Sequence, residues 1–107
     1  MRGGIHWADL NRVRGRRQAG LRQVPILSHD LFSRKSETAI AMAITSQPQK
    51  AGFPSTLELP AEMLPKPSWV KIPQIRTISV DHLGKRIAAL DADALDQLID
   101  GLLELIG

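Results

Sequence analysis

Cysteine and tyrosine are absent from this chain of 107 residues, and it carries only four aromatic side chains, Trp7, Phe32, Phe53 and Trp69. Without cysteine there is no disulfide framework, no thiolate zinc site and no cysteine nucleophile, and the composition suits a reducing cytoplasm. Four scattered aromatics exclude the row of stacking rings that an RNA-reading sheet presents. No apolar run nears the roughly 18 residues of a membrane span, and the arginine-rich start lacks the apolar stretch of a secretory signal. A cytoplasmic protein with no membrane partner is expected. There is also no Gly-rich phosphate loop, no His-Glu-x-x-His pair and no carboxylate pair beside a histidine, so neither metal nor cofactor is expected. The length suits one domain over residues 1–107 with one modest core, which excludes doubly wound dinucleotide-binding folds and large α/β barrels.

What is present is charge, unevenly spread. The formal balance is +3, from 14 basic and 11 acidic residues. Residues 1–36 hold eight of the basic residues against Asp9 and Asp30, a local +6, while the remainder is −3. Five of the cations, Arg12, Arg14, Arg16, Arg17 and Arg22, fall within residues 11–22, a stretch with two glycines and little apolar content. Such a segment reads as an exposed basic loop. The asymmetry points to a polyanion or an acidic peptide meeting the N-terminal third.

Periodicity predicts short strands over residues 5–10, 22–28, 38–45, 56–59, 69–72, 74–79 and 85–90. Pro25 argues that the second lies at an edge or bulge, and Pro73 separates the fifth from the sixth. Asp30 is expected to cap a single helical turn through Phe32. In 38–45, Ile40, Met42 and Ile44 alternate with Ala39, Ala41, Ala43 and Thr45. The bulky face should lie on the core, and the small-residue face, with Thr45 at its end, should let another chain or a ligand approach. Asp91 reads as the cap of a helix with Leu95, Leu98, Ile99, Leu102 and Ile106 on one stripe and Asp93, Asp96, Asp100 and Glu104 outside. The expected architecture is a small, mainly antiparallel, barrel-like sheet followed by one helix.

Several separated motifs then occur in order: Arg2-Gly3, Trp7-Ala8-Asp9-Leu10-Asn11, Arg14-Gly15, Gln18-Ala19-Gly20-Leu21-Arg22, Ile44-Thr45-Ser46-Gln47, Lys50-Ala51-Gly52-Phe53-Pro54, Lys66-Pro67-Ser68-Trp69-Val70-Lys71, Gln74-Ile75-Arg76-Thr77-Ile78 and Leu83-Gly84-Lys85-Arg86-Ile87. Together they resemble the MazF/PemK toxins over nearly the whole chain. The resemblance implies a mainly β, SH3-like or CcdB-like small barrel with a C-terminal helix, assembled as a homodimer. It implies a metal-independent, sequence-specific endoribonuclease (an mRNA interferase) that cuts single-stranded mRNA through its own 2′-hydroxyl. The products would carry 2′,3′-cyclic phosphate and 5′-hydroxyl ends. A MazE-type antitoxin with an acidic C-terminal segment would silence it.

By the same resemblance, Arg22 and Thr45 are the catalytic pair. Arginine is effectively never deprotonated, so Arg22 reads as proton donor and electrostatic clamp rather than base, with Thr45 holding the oxyanion. Expected RNA contacts are Arg14, Arg16 and Arg17 on phosphates, Gln18 and Gln47 on base edges, and Ser46, Lys50 and Arg76. His6, His29 and His82 share no motif. Three departures from the family pattern, Gly4 in place of an acid, Gly15-Arg16-Arg17 in place of Gly-Ser-Glu, and Arg22-Gln23 in place of Arg-Pro, are expected in or beside the RNA groove. An attenuated or non-catalytic binder of RNA or antitoxin on the same scaffold is the alternative. A CcdB-like gyrase inhibitor fits less well, because the chain closes on Glu104-Leu105-Ile106-Gly107 rather than Trp-Gly-Ile.

Overall fold

A computed structural model describes residues 1–10 and 20–107. Its first strand, β1 (Gly4–Asp9), is flanked on one side by β2 (Leu21–Pro25) and on the other by β6 (Leu83–Ala89), both antiparallel. A second three-stranded sheet has the order β3 (Thr38–Thr45), β5 (Trp69–Ser79), β4 (Thr56–Glu58), again antiparallel. The two sheets are joined where the chain leaves β2: Ile26 bridges to Ala41, and the Leu27 N–H donates to the Ile40 carbonyl at 2.8 Å. Pro25 closes an edge strand, as a residue without an N–H must.

Pro73 does not end a strand. β5 runs through it as one element of 11 residues, and its effect appears as a break in register. Met42 faces Ile75 while Ala43 faces Lys71, so residues 72–74 have no partners on β3. The missing N–H is absorbed in a bulge, the position a sheet interior offers to proline.

The alternation in β3 works on both faces. Met42 is fully buried and Ile44 half-buried, packed in a cluster with Ile5, Val70, Ile72 and Leu98. The small-residue face is not left open along its length, however. Ala39 and Ala41 are fully buried in a second cluster with Ala8, Val24, Ile26 and Ile78. Small side chains admit a close neighbour, and that neighbour is the chain's own β2 crossing at the Ile26 bridge. Ala39 and Ala41 therefore supply no surface for a second subunit.

Between β2 and β3 lies α1 (Asp30–Ser36), seven residues rather than a single turn. Asp30 is its first residue and not its cap: His29 stands at the N-cap without a side-chain bond. The Asp30 carboxylate instead accepts from the Arg2 backbone N–H at 2.8 Å and lies 3.5 Å from the Met1 amino group. The bond from the Arg2 N–H is the main cause holding the Asp30 carboxyl below its usual range. At the C-terminus, Asp91 does cap α2 (Ala92–Ile106), accepting from the Ala94 N–H at 2.8 Å. The helix buries Ala94, Leu98 and Gly101, with Leu95, Ile99 and Leu102 half-buried beside them. The buried stripe does not extend to Ile106, which is 74% exposed. Among the described residues no helix is long and apolar enough to cross a membrane.

Candidate active site

Two rows of side chains meet at the bridge between the sheets. On β2 and its continuation the row runs Ile26, Val24, Arg22; on β3 it runs Ala39, Ala41, Ala43, Thr45. Side chains two apart share a face of a strand, and on both strands the row is apolar until its final member: Ile26, Val24, Ala39 and Ala41 are fully buried and Ala43 is half-buried. The antiparallel register that sets Ile26 opposite Ala41 also places Leu27 by Ile40. Carried four residues further, that register brings Arg22 to the level of Thr45. Both line one recess of about 290 Å³, whose walls include Val24, Ala43, Lys71 and Arg76. The chain thus builds the recess by ending two packed rows in polar residues at the same place.

Arg22 is exposed on its edge strand, and one guanidinium nitrogen donates to the Leu21 carbonyl at 3.0 Å. Thr45 is half-buried, and its hydroxyl oxygen accepts from the Gln47 N–H at 3.1 Å. That bond uses an acceptor site and fixes the oxygen, so the hydroxyl proton remains available to donate to an anion in the recess. Arg22, Lys71 and Arg76 line the same recess and make it positive. The arrangement suits a phosphate diester carrying growing negative charge.

Of the expected residues, Arg22, Thr45 and Arg76 are brought together here. Ser46 lies on the other side of Arg22, in a second recess. Gln47 and Lys50 are exposed on the segment after β3 and line neither recess. Arg14, Arg16, Arg17 and Gln18, with Arg12, lie outside the described residues. Lys71 and Gln74, both lining the Arg22 recess, were not singled out from the sequence. In β5, Val70 and Ile72 are fully buried and Lys71 points the other way, which alternation alone shows. That this other face is a recess wall follows only from the pairing of Lys71 with Ala43.

Gly4 does not line the Arg22 recess. Gly4 pairs with Ala89, whereas Arg22 pairs with Ala8, four residues or about 13 Å away along β1. A side chain at position 4 would instead meet Arg86 and the imidazole of His6, whose Nε2 would lie 3.1 Å from its Cβ. His6 holds the Gly84 carbonyl through Nδ1 at 2.9 Å, and its Nε2 is buried without a hydrogen-bond partner among the described residues. The Gln23 departure does border the site, one residue beyond Arg22. None of the three histidines lines the Arg22 recess.

Residues 1–106 match the family model for the PemK-like, MazF-like toxins of type II toxin-antitoxin systems. Over 103 residues the chain is 38% identical to Endoribonuclease EndoA of Bacillus subtilis (strain 168), which covers 94% of this chain and 89% of that protein. The fold superimposes on a MazE-MazF crystal structure from Deinococcus radiodurans with a TM-score of 0.80 at 21% identity, covering 99% of this chain and 93% of that one. An endoribonuclease in complex with its cognate antitoxin, from a mycobacterial species, gives 0.79 at 19% identity, covering 100% and 94%. At those identities the structures speak to the fold, which is mainly β with a C-terminal helix.

Proposed function

Because this chain belongs to the MazF/PemK toxins and is an endoribonuclease homologue, we propose that the recess between Arg22 and Thr45 is where it cuts single-stranded RNA. The observation that carries the reading is the register that sets a cation and an oriented hydroxyl together in a strongly basic hollow.

The reaction needs no external nucleophile. The ribose 2′-oxygen attacks the adjacent phosphorus, its proton passes to water, and the bond from phosphorus to the 5′-oxygen breaks. A 2′,3′-cyclic phosphate forms on one fragment, and the departing 5′-oxygen takes a proton to become a hydroxyl. Arg22 clamps a non-bridging oxygen and donates a proton to the leaving oxygen, taking it back from the water that received the 2′-proton, so the guanidinium charge is restored. Thr45 donates its hydroxyl to the other non-bridging oxygen as charge builds in the phosphorane. Lys71 and Arg76 add to the field that favours this dianionic state over the monoanionic substrate, which is the difference that speeds a reaction. Removal of one such donor from a preorganised site costs on the order of 100- to 1,000-fold in rate.

Purified protein incubated with a long RNA in EDTA should yield discrete fragments with 5′-hydroxyl ends. Arg22→Ala and Thr45→Ala should each slow this by a factor of that order. If both variants cut as fast as wild type, the site is misplaced. If wild type binds RNA without cutting it, the scaffold is a binder and not a nuclease.

Two partners belong to the same proposal. An acidic segment of a MazE-type antitoxin would cover the basic hollow and exclude RNA by occupying the charge that RNA needs. The chain would act in the cytoplasm as a homodimer. Sedimentation at micromolar concentration showing only an 11.8 kDa species would remove the dimer.

A further inference from the structure

Arg22 is a wall between two recesses. Behind it from Thr45 lies a larger one, about 500 Å³, of different character. Its apolar surface comes from Trp7, Leu21, Leu64 and Pro65, and the Gln23 side chain stands among them. Trp7 is 37% exposed in the middle of β1, and Leu21 is 60% exposed. A tryptophan on a central strand normally buries its ring. Here the ring instead faces an open hollow next to the proposed catalytic arginine. Trp7 pairs with Gln23, and the next pair along, Ala8 with Arg22, projects from the opposite face; Arg22, exposed on its edge strand, lines the Trp7 recess as well.

We propose that this recess holds the nucleobase flanking the cleaved phosphate, stacked on Trp7, with its edge toward the Gln23 amide. The inference rests on the reading of Arg22 as the phosphate clamp. A phosphate held on one side of Arg22 directs the attached nucleoside to one neighbouring hollow or the other. The Thr45 side, about 290 Å³, has no aromatic wall and is ringed by Arg22, Lys71 and Arg76, whereas the Trp7 side, with Lys66 as its cation beside Arg22, offers a flat aromatic face. Stacking tolerates any base, since each has a π-face. The Gln23 amide supplies one donating and one accepting group, so it adds discrimination by the pattern on the base edge. Gln23 therefore makes the departure next to Arg22 a determinant of which base is accepted.

The test begins from the cleavage site mapped with wild type. Oligonucleotides are prepared with the intact sequence and with an abasic residue on either side of the scissile phosphate. Stacking on one aromatic ring corresponds to about 5- to 150-fold in affinity. Trp7→Leu should lower kcat/KM on the intact RNA within that range. It should lower it much less on the RNA that is abasic at the flanking position, and Trp7→Phe should restore most of the loss. Losses that simply multiply, or a Trp7→Leu protein that cuts intact RNA at the wild-type rate, would overturn the proposal.

A second measurement does not require cleavage. With Trp69→Phe, Trp7 becomes the only tryptophan, and a single-stranded oligodeoxynucleotide, which lacks the 2′-hydroxyl, should quench its emission on binding. Emission unchanged at saturation, or no binding at all, would refute the base site. Wild type that cuts nothing while Trp7 is quenched separates failure of the catalytic reading from failure of this one. Quenching by an acidic antitoxin peptide but not by nucleic acid would reassign the recess and refute the base.

Discussion

Replacing Gly101 with alanine adds one methyl group to the middle of α2, where alanine is ordinarily the better residue by about 1 kcal/mol. Here the added Cβ would lie 2.7 Å from the Ile72 Cδ1, 3.1 Å from the Phe53 Cε2 and 3.4 Å from the Pro54 carbonyl oxygen. Carbon atoms pack best at about 3.5–4.0 Å, so the Ile72 methyl must move by roughly 1 Å. Ile72 is fully buried, so its terminal methyl has little room to yield. Phe53 is exposed and can swing aside.

Overpacking of this kind costs about 1–3 kcal/mol, which exceeds the helix gain. A net loss of about 1 kcal/mol is expected, lowering Tm by about 4–8 °C for a chain of this size. The measurement is thermal unfolding by circular dichroism at one protein concentration, because an oligomer's Tm depends on it. Ile72→Val deletes the offending methyl at its own cost of about 0.5–1.5 kcal/mol. In that background Gly101→Ala should become neutral or stabilising, a favourable coupling of about 1–3 kcal/mol. Additive effects, or a raised Tm from Gly101→Ala alone, would show that α2 does not lie on β5 at Ile72 as described.

Two further outcomes are expected. The folded-state pKa of Asp30 is lowered, first through the bond from the Arg2 N–H, so its contribution to stability is present above the ordinary carboxylate pKa of 3.8 and is lost as pH falls through the lower folded value. The Tm gap between wild type and Asp30→Asn should therefore shrink on acidification from about pH 6 to about pH 3; a gap that widens would contradict it. For the antitoxin, affinity of an acidic peptide for the protein should weaken measurably between low and physiological salt. A salt-independent affinity would argue against an electrostatic hollow around Arg22.

Much of this molecule can be read along the chain. Alternation in residues 38–45 marks β3, and Asp91 marks the start of α2, because a strand's period and a helix cap are local properties. The family motifs single out Arg22 and Thr45. The start and length of α1, and what covers β3, are less legible. Asp30 has the chemistry of a cap, yet the carboxylate takes the Arg2 N–H, a donor 28 residues away in sequence. Likewise the alanine face of β3 looks open until β2 is laid across it.

By itself, then, the sequence determined the element types, the excess of positive charge in the first third, and the two polar residues that end otherwise apolar rows. Tertiary structure alone decided that those rows face each other, that Lys71 and Arg76 close the same recess, and that Gly4 is far from it. It also decided that Trp7 borders Arg22 from the opposite side. The physical reason is that register is a property of strand pairs. The Ile26 to Ala41 bridge and the three-residue bulge at Pro73 fix which side chains share a hollow, and neither is encoded in the period of any one strand.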